Sequence, residues 1–256
     1  MSTLADAMND ATAAENAAVD ALNAAAALLQ NKAALAEGAI QSFLYRAAQV
    51  FWYIDFNTGV DDANHGKTIG APCKTIDYAI SQADLSVINW FLCFTDQTIT
   101  KGWAAGSGIF VVGALRSPGV FNSPWTYTQR RLSFAAESVD SPYVGGGRQP
   151  GYLNLLGSFA IFQSLEVRLP ATPDVLDNKT VLRGYGASVS FLNCTVTIED
   201  ASKGVSMFES GYGLQSYVGF TNTTLGTGAA GHIFKGIAAG ANPNSSVDYR
   251  SNLTSA

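Results

Sequence analysis

The chain has 256 residues, of which 14% are charged, and a formal net charge of −5. Its fifteen basic residues form no patch of the kind that nucleic acid requires, so no nucleic-acid partner is predicted. The longest apolar runs, residues 21–31 and 85–95, are too short to span a bilayer, so no membrane insertion is predicted. The N-terminus does not resemble a secretory signal, so folding in a cytoplasm is expected.

Residues 1–50, here called the stalk, contain eighteen alanines and no proline, a composition that favours α-helix. Eight of the thirteen large apolar residues in the stalk fall on one seam with spacings of four and three, where chance would place about four. This spacing is typical of a coiled coil, so the stalk is predicted to associate with copies of itself. A single amphipathic helix lying on the rest of the chain is the alternative. The large seam residues are Met1, Met8, Val19, Leu22, Leu29, Ile40, Phe43 and Val50.

A junction and capping segment is predicted over residues 51–83. Aromatic and β-branched residues at 51–56 predict a strand, and the Asn, Asp and Gly residues at 57–66 predict a turn. Four apolar residues at helical spacing then predict a short helix over residues 75–83. These four residues are Ile76, Ala79, Ile80 and Ala83. An amphipathic helix laid across the end of a stack of strands would bury apolar surface and block pairing at the strand edges.

Within this segment, residues 53–55, 59–66 and 71–80 resemble the first coil of a pectate-lyase-like right-handed parallel β-helix. Cys73 stands where that family usually has phenylalanine. The family is frequent in bacteriophage tail fibres and tailspikes, which are trimers that contact or cleave cell-surface glycans. The resemblance implies that residues 84–256 form the β-helix and that the short helix caps its N-terminal end.

A weak internal repeat supports stacked coils. Four short segments recur at intervals of about 30 residues, a period in the range of repeat architectures. They are 162–166, 192–196, 221–225 and 251–255. Asn193, Asn222 and Asn252 stand at the same place in three of them, where side chains could form a hydrogen-bonded ladder from coil to coil. Other strand-like runs are 87–94, 109–113, 131–135, 152–156, 159–169 and 189–198. A β-sandwich or jelly roll would also give short strands bounded by turns and is the alternative fold.

The sequence offers few candidate residues for catalysis or sugar binding. Glycoside hydrolysis needs two facing carboxylates about 5 to 10 Å apart. Seven acidic residues are candidates: Asp55, Glu137, Asp140, Glu166, Glu199, Asp200 and Glu209. No two of them stand at equivalent places of adjacent repeats, so solvated surface carboxylates are the favoured interpretation. Six aromatic residues could stack on sugar rings, although most are predicted to be core or subunit interface: Trp90, Trp103, Trp125, Tyr127, Tyr143 and Tyr152.

No metal or cofactor site is predicted. Cys73, Cys93 and Cys194 are far apart, form no CxxC motif and are accompanied by only two histidines in the chain. They are therefore interpreted as reduced, mostly buried thiols. Asp61 and its neighbours loosely resemble a calcium loop but lack the downstream glutamate, and turn chemistry explains them. No catalytic, cofactor-binding or metal-binding residues are therefore predicted.

The resemblance and the stalk together imply a structural virion protein. The expected role is a trimeric phage fibre or spike that mediates attachment to the host cell surface. Its expected partners are copies of itself as a homotrimer, other virion proteins bound through the stalk, and a cell-surface glycan. A glycan-degrading tailspike and a head or collar fibre, or an adaptor that binds other virion proteins, are the alternatives. A role without catalysis is favoured because no carboxylate pair stands out.

Overall fold

The computed structural model describes most of the chain after residue 48 and a small part of what precedes it. The described residues are 3, 9, 12–17, 19–26, 32, 49–84, 87–105, 108–114, 127–138, 149–174, 176, 178–211 and 213–255. The chain divides into two compact units, Met1–Ala48 and Gln49–Ala256, and the second is here called the β-sheet unit. None of the helices in these ranges is both long enough and apolar enough to cross a membrane.

In the first unit, the described residues 9, 12–17, 19–26 and 32 are helical and exposed. Val19 and Leu22, two large residues of the predicted seam, are 55% and 71% exposed. Most of the remaining seam lies outside the described residues, so the coiled coil stays a prediction. The predicted end of the stalk at Val50 is wrong, because strand β1 (Gln49–Ile54) already includes that residue. This strand is rich in β-branched and aromatic residues, which favour a strand paired in a sheet.

The described residues of the β-sheet unit form three sheets. Sheet 1 has the order β1 (Gln49–Ile54), β2 (Ile88–Cys93), β5 (Ile109–Gly113), β8 (Phe159–Gln163), β11 (Ser188–Leu192), β14 (Ser216–Thr221), β16 (Tyr249–Ser251). Sheet 2 has the order β3 (Gln97–Ile99), β6 (Arg130–Phe134), β9 (Leu165–Leu169), β12 (Thr195–Ile198), β15 (Thr224–Leu225). Sheet 3 has the order β4 (Gly102–Ala105), β7 (Tyr152–Leu156), β10 (Thr180–Tyr185), β13 (Ser206–Ser210). A short helix, α1 (Ile76–Gln82), lies between β1 and β2, and a 3-10 helix (Pro243–Ser245) lies between β15 and β16.

From β2 to β15 the chain visits the three sheets in rotation, one strand in each before it returns to the first. The last coil, from β14 to β16, has no described strand in sheet 3, where only an isolated bridge joins Phe234 to Phe208 of β13. Every strand pairing within these sheets is parallel across the described ranges. The predicted mainly β fold is therefore confirmed. Sandwiches and jelly rolls pair their strands antiparallel, so the parallel pairing overturns that alternative.

The inner face of sheet 1 carries a column of aromatic side chains. Phe162 pairs with Phe191, and Phe191 pairs with Phe220. Their ring centroids are 5.1 and 5.2 Å apart, and the rings are nearly parallel. Trp52 and Phe91 lie on the same inner face toward β1 and are also buried. These side chains belong to one hydrophobic cluster with residues of the other two sheets, so a single core runs through the unit.

The bend between sheets 1 and 2 explains why asparagine recurs. Ser164, Asn193 and Asn222 occupy this bend with φ values of 54, 52 and 49. This left-handed conformation costs most side chains about 1–2 kcal/mol, and asparagine adopts it more readily than most. The side chains of Asn193 and Asn222 are exposed, and the backbone N–H of Asn193 donates to the carbonyl of Thr221 at 2.9 Å. The recurrence therefore follows from backbone conformation, and a ladder of side chains is not needed to explain it.

The predicted alignment of the repeats is only partly right. Leu192 pairs with Thr221, as the repeat predicts. Phe162 pairs with Phe191 and not with Leu192, so the predicted alignment of the first two segments is off by one position. A one-residue slip in register turns every side chain to the opposite face of the sheet. Similarity between short segments is not enough to exclude such a slip.

The last coil is longer than predicted. The repeat aligns Thr221 with Ser251, but the strand partner of Ser251 is Val218, because the connection before β16 includes the 3-10 helix. Asn252 is therefore not the counterpart of the other two asparagines. Its side chain accepts the N–H of Phe220 at 2.8 Å and donates to the carbonyl of the same residue at 2.5 Å. These two bonds hold the end of the chain beside sheet 1.

We expect the Asn193→Val substitution to lower the free energy of unfolding by about 1–2 kcal/mol, because a β-branched side chain is strained at positive φ. Asn193→Gly should change it by less than about 0.5 kcal/mol, since glycine adopts this conformation freely. Denaturant titration of both variants measures the difference. A loss for the glycine variant as large as that for the valine variant would show that the asparagine side chain itself is needed.

Candidate functional site

The end of the β-sheet unit at β1 is covered by α1 and the loop that precedes it. The Thr75 hydroxyl caps the helix by accepting a backbone N–H at 3.1 Å. Ile76, Ala79 and Ile80 are buried in the core, so the predicted short helix and its buried face are confirmed. Cys73, at the position where the resembling family usually has phenylalanine, is fully buried in the same core.

Acidic side chains hold this cover in place. Asp61 accepts the N–H groups of Lys74 and Thr75 at 2.7 and 3.0 Å and the Thr75 hydroxyl at 2.7 Å. Asp77 accepts the N–H of Thr100 at 2.8 Å, its hydroxyl at 2.6 Å and the indole N–H of a β4 tryptophan at 2.5 Å. Both carboxylates therefore act as structural acceptors. The turn interpretation predicted bonds to local backbone, which Asp62 makes to the N–H of Asn64 at 2.9 Å, whereas Asp61 bonds the start of the helix instead.

A cleft of about 420 Å³ opens beside α1, with the half-exposed ring of Phe56 on one wall. Its polar lining is engaged in the fold. Gln97 accepts the N–H of Ile76 at 3.0 Å, and Asp96 accepts the N–H of Arg131 at 2.8 Å. The first bond joins the cover to sheet 2, and the second joins the loop before β3 to β6.

The candidate acids of sheet 2 are paired along its outer face. Glu166 accepts hydrogen bonds from Arg131 Nε and Thr197 Oγ1, both at 3.0 Å. Glu199 lies 3.2 Å from Arg168 Nε. All of these side chains are partly exposed, so the pairs contribute little individually. The outer face of sheet 2 is a solvated surface with salt bridges, which is the interpretation favoured from the sequence.

Glu209 lies on sheet 3, a different face from Glu166. Its carboxylate accepts hydrogen bonds from Lys235 Nζ at 2.6 Å and Asn178 Nδ2 at 2.9 Å. Burial alone would raise the pKa of Glu209, but the bonds from these two side chains outweigh it and hold the pKa below its ordinary value. A general acid of a glycosidase needs a raised pKa, so this carboxylate is unsuited to that role.

We expect Glu209→Gln to lower the free energy of unfolding at pH 7 by about 1–2 kcal/mol, because charge-assisted hydrogen bonds are lost. The pKa of Glu209 in the folded state lies below the ordinary 4.5. The stability contributed by its hydrogen bonds is therefore present above pH 4.5 and is lost as the pH falls through the folded-state pKa. Denaturant titrations at pH 7 and pH 3 should therefore show the difference between wild type and variant shrinking in acid. Glu199→Gln, in a more exposed pair, is the control and should cost less than about 1 kcal/mol. A difference for Glu209→Gln that stays constant with pH would contradict the assignment.

Asp55 and Asp200, two further candidate acids, are engaged in turns. Asp55 accepts the N–H of Asn57 and the hydroxyl of Thr58, and Asp200 accepts the N–H of Ser202, all within turns. Two more acids were candidates: Glu137, which is half-buried, and Asp140, which lies outside the described residues. Within the part of the chain that the structure describes, no three acidic, cysteine or histidine side chains cluster where they could hold a metal ion.

The three cysteines are free and buried, which confirms their predicted state. Burial raises the pKa of Cys73 to about 12 and that of Cys194 to about 11. Burial also raises the pKa of Cys93. Reactive cysteines have lowered pKa values and are accessible, so these thiols are structural.

The outer face of sheet 1 carries four aromatic side chains in a row across adjacent strands, here called the aromatic ladder. The ladder consists of Phe51 on β1, Trp90 on β2, Phe110 on β5 and Phe159 on β8. Successive ring centroids are 5.7, 3.9 and 5.6 Å apart; the first three rings are stacked and the last pair meets edge to face. Each ring is half-buried, and Leu92 and Val112 on the same face are fully buried beside them. The ladder is therefore a half-buried apolar row on the outer face of sheet 1 and not a broad exposed patch.

The ladder stops after the fourth strand. On β11 the outer face carries Ser188 and Ser190, and on β14 it carries Tyr217 and Gly219. The row of contacting rings is therefore confined to the four strands of sheet 1 that begin at β1, although Leu192 on β11 also lies on this face. Sequence reasoning had singled out only Trp90 from the ladder, because the other three rings become neighbours only once the strand register is known.

The remaining aromatic candidates do not form a sugar-binding platform together. Tyr152 is buried, and Trp103 donates its indole N–H to Asp77. Tyr127 is exposed, and two further candidates, Trp125 and Tyr143, lie outside the described residues. The described members thus sit in different surroundings, and the expectation that most of the six are core or interface stays a prediction.

Comparison of the chain with protein-family models, with curated proteins and with solved structures found no match. Functional reasoning for this protein therefore depends on its own sequence and geometry. Three features carry it: the rotation of the chain through three parallel sheets, the covered end at β1, and the aromatic ladder.

Proposed function

We propose that the β-sheet unit is a right-handed parallel β-helix and that the chain is a structural virion protein of a bacteriophage. In this proposal it is a trimeric fibre or spike that mediates attachment to the host cell surface. The observation that carries the proposal is the rotation through three parallel sheets around one core. Such a stack is stiff and elongated, because each coil contacts mainly its two neighbours.

The covered end at β1 supports the same proposal. The residues that resemble the first coil of the β-helix family form a loop and an amphipathic helix whose apolar residues enter the core. This is the arrangement expected of a cap, because it hides the interior cross-section and the first strand edges from other chains. The resemblance rests on the residues, and the buried face of the helix supports the proposed role as a cap.

In this proposal the stalk joins the copies of the chain into a trimer. Three alanine-rich helices packed in parallel would hold three β-helices side by side and join them to other virion proteins. Attachment to a repetitive cell-surface glycan would then gain from three equivalent contacts, since multivalent binding makes weak single sites avid. The protein would be made in the host cytoplasm and would function on the tail or head of the particle.

Electron microscopy of particles labelled with antibody against this chain tests the proposal. The expected result is label on fibres or spikes of intact particles, with loss of adsorption to host cells when the same antibody is bound. Label restricted to a collar or head fibre, with normal adsorption, would favour the adaptor role instead. Particles that carry no label and contain no copy of the chain would contradict a virion role altogether.

A glycan-degrading tailspike is the weaker alternative. Glu166 and Glu209 lie on different sheets and are each engaged with cationic or amide partners, so neither has a facing carboxylate partner in the described residues. We expect purified protein to release no reducing ends from host surface polysaccharide. Release that disappears in Glu166→Ala or Glu209→Ala would establish the catalytic role.

A further inference from the structure

We infer that the outer face of sheet 1 at strands β11, β14 and β16 binds a sugar ring that carries an anionic group, a carboxylate or a phosphate. The site consists of Ser188, Tyr217 and Arg250, with Ser190 and Gly219 beside them, and is here called the tyrosine site. The inference rests on the proposed attachment role and deepens it, because it gives that role a place on the molecule and a class of sugar.

Strand register brings three side chains of the tyrosine site into one row. Ser188 pairs with Tyr217, and Tyr217 pairs with Arg250. Their chain neighbours Val189 and Tyr249 are buried in the core, so the row itself points outward. Adjacent strands lie about 4.8 Å apart, so the row is about 10 Å long, which is wide enough for one sugar ring.

Tyr217 provides an exposed aromatic ring at the centre of the row. Its side chain is 44% exposed, and within the described part of the chain it contacts no other aromatic ring and its hydroxyl makes no hydrogen bond. A Cβ atom added at Gly219 would lie 2.9 Å from the ring, so the ring extends along β14 over a glycine that leaves it room. The open ring can pack against the C–H face of a sugar, and its hydroxyl can bond a sugar hydroxyl. The rings of the aromatic ladder are instead half-buried against one another.

Arg250 supplies a positive charge at one end of the row. Its Nη1 donates to the carbonyls of Ser246 and Tyr249 at 3.1 and 2.8 Å, which holds the guanidinium in place. The side chain is exposed and pairs with no carboxylate of the described residues, whereas Arg131 and Arg168 on sheet 2 pair with glutamates. Its Nε and Nη2 can therefore bond a carboxylate or a phosphate, the anions whose geometry the planar guanidinium matches.

Hydroxyl groups complete the other end of the row. The side chain of Ser188 is exposed, and that of Ser190, which pairs with Gly219, is half-buried. Neither hydroxyl bonds to another described residue, so both can bond sugar hydroxyls. The row thus offers a hydroxyl, an aromatic ring and a guanidinium in that order, and the guanidinium favours an anionic sugar over a neutral one.

The tyrosine site is suited to binding and not to cleavage. It lies on the open face of a sheet, so it surrounds little of a ligand and a single copy should bind weakly. Its row contains no carboxylate, whereas glycoside hydrolysis needs two. Three copies in the proposed fibre would turn weak single sites into avid attachment to a repetitive glycan.

Saturation-transfer NMR on the full chain tests the inference with three sugars that differ only at C6: glucose, glucuronic acid and glucose 6-phosphate. The corresponding galactose series is measured in the same way, so that a second ring stereochemistry is included. The variants are Tyr217→Ala and Arg250→Gln. The control is Arg168→Gln, which removes an arginine from the outer face of sheet 2. Circular dichroism of each variant confirms that the fold is kept.

We expect wild type to bind at least one anionic sugar about tenfold more tightly than its neutral counterpart, because hydrogen bonds to charged groups are strong. The preferred sugar identifies the anion as carboxylate or phosphate. Arg250→Gln should remove this preference, whereas Tyr217→Ala should weaken binding of anionic and neutral sugars alike by about fivefold. Arg168→Gln should bind as wild type does.

Two results would overturn the tyrosine site: no preference of wild type for an anionic sugar in either series, or a preference that Arg250→Gln and Tyr217→Ala leave unchanged. Antibody label on fibres with loss of adsorption would in that case leave the proposed attachment role standing. Sugar binding that is lost in both variants of a chain absent from virus particles would support the site and contradict the virion role.

Discussion

Phe191→Ala should lower the free energy of unfolding of the β-sheet unit by about 3–5 kcal/mol, among the largest effects of any single change. The ring is fully buried and stacks between Phe162 and Phe220 at 5.1 and 5.2 Å. Truncation leaves a cavity in the middle of the aromatic column, with packed strands on both sides that cannot collapse into it. Denaturant titration followed by far-ultraviolet circular dichroism measures the loss.

Tyr217→Ala is the matched control. It removes an aromatic ring from β14, an adjacent strand of the same sheet, but from a side chain that is 44% exposed on the outer face. The expected change is less than about 1 kcal/mol, as for most surface substitutions. Equal losses for the two variants would contradict the assignment of inner and outer faces, and with it the strand register.

Leu22→Asp should dissociate the oligomer. Leu22 is helical and 71% exposed in a single chain, which suits a residue that becomes buried only when copies associate. Loss of a buried leucine costs about 2–5 kcal/mol, and each 1.4 kcal/mol is a tenfold change, so the dissociation constant should rise by about 30-fold or more. Analytical ultracentrifugation over a range of concentrations measures this shift.

Ala24→Asp is the control for this prediction. It introduces the same charge two residues later, at a helical and exposed position that lies off the seam. The dissociation constant should change by less than about threefold, since a surface charge contributes little. If both substitutions weaken association equally, the effect comes from charge and the seam is wrongly placed.

Local signals in the sequence predicted the capped end of the unit well. The spacing of Ile76, Ala79 and Ile80 was sufficient to predict α1, because apolar residues at this spacing lie on one face of an α-helix. Runs such as 109–113 and 152–156 coincide with β5 and β7. Continuous apolar and β-branched runs of this length are typical of strands buried in parallel sheets.

The short strands and the exact pairing register of the strands could not be predicted from the sequence. Strands β3 and β4 are short, and β13 includes serine and glutamate, so their pairing depends on neighbours in the stack and not on local preference. The aromatic ladder was missed for the same reason. Phe110 and Phe159 lie far apart in sequence and become neighbours only through the pairing of β5 with β8.

The role of the asparagines illustrates a second limit. Their recurrence was visible, but a side-chain ladder and a left-handed bend both explain a repeated asparagine. The φ values of Asn193 and Asn222 favour the bend, while Asn252 bonds the backbone of Phe220 instead. A repeated residue type thus indicates a shared position without revealing which property of the residue is used.

Native mass spectrometry of the full chain tests the central claim, a trimeric structural assembly, most directly. One chain has a mass of 26.9 kDa, so the account predicts a dominant species of about 81 kDa that persists on dilution to low micromolar concentration. A dominant species of 26.9 kDa under those conditions would contradict both the coiled-coil stalk and the proposed trimer.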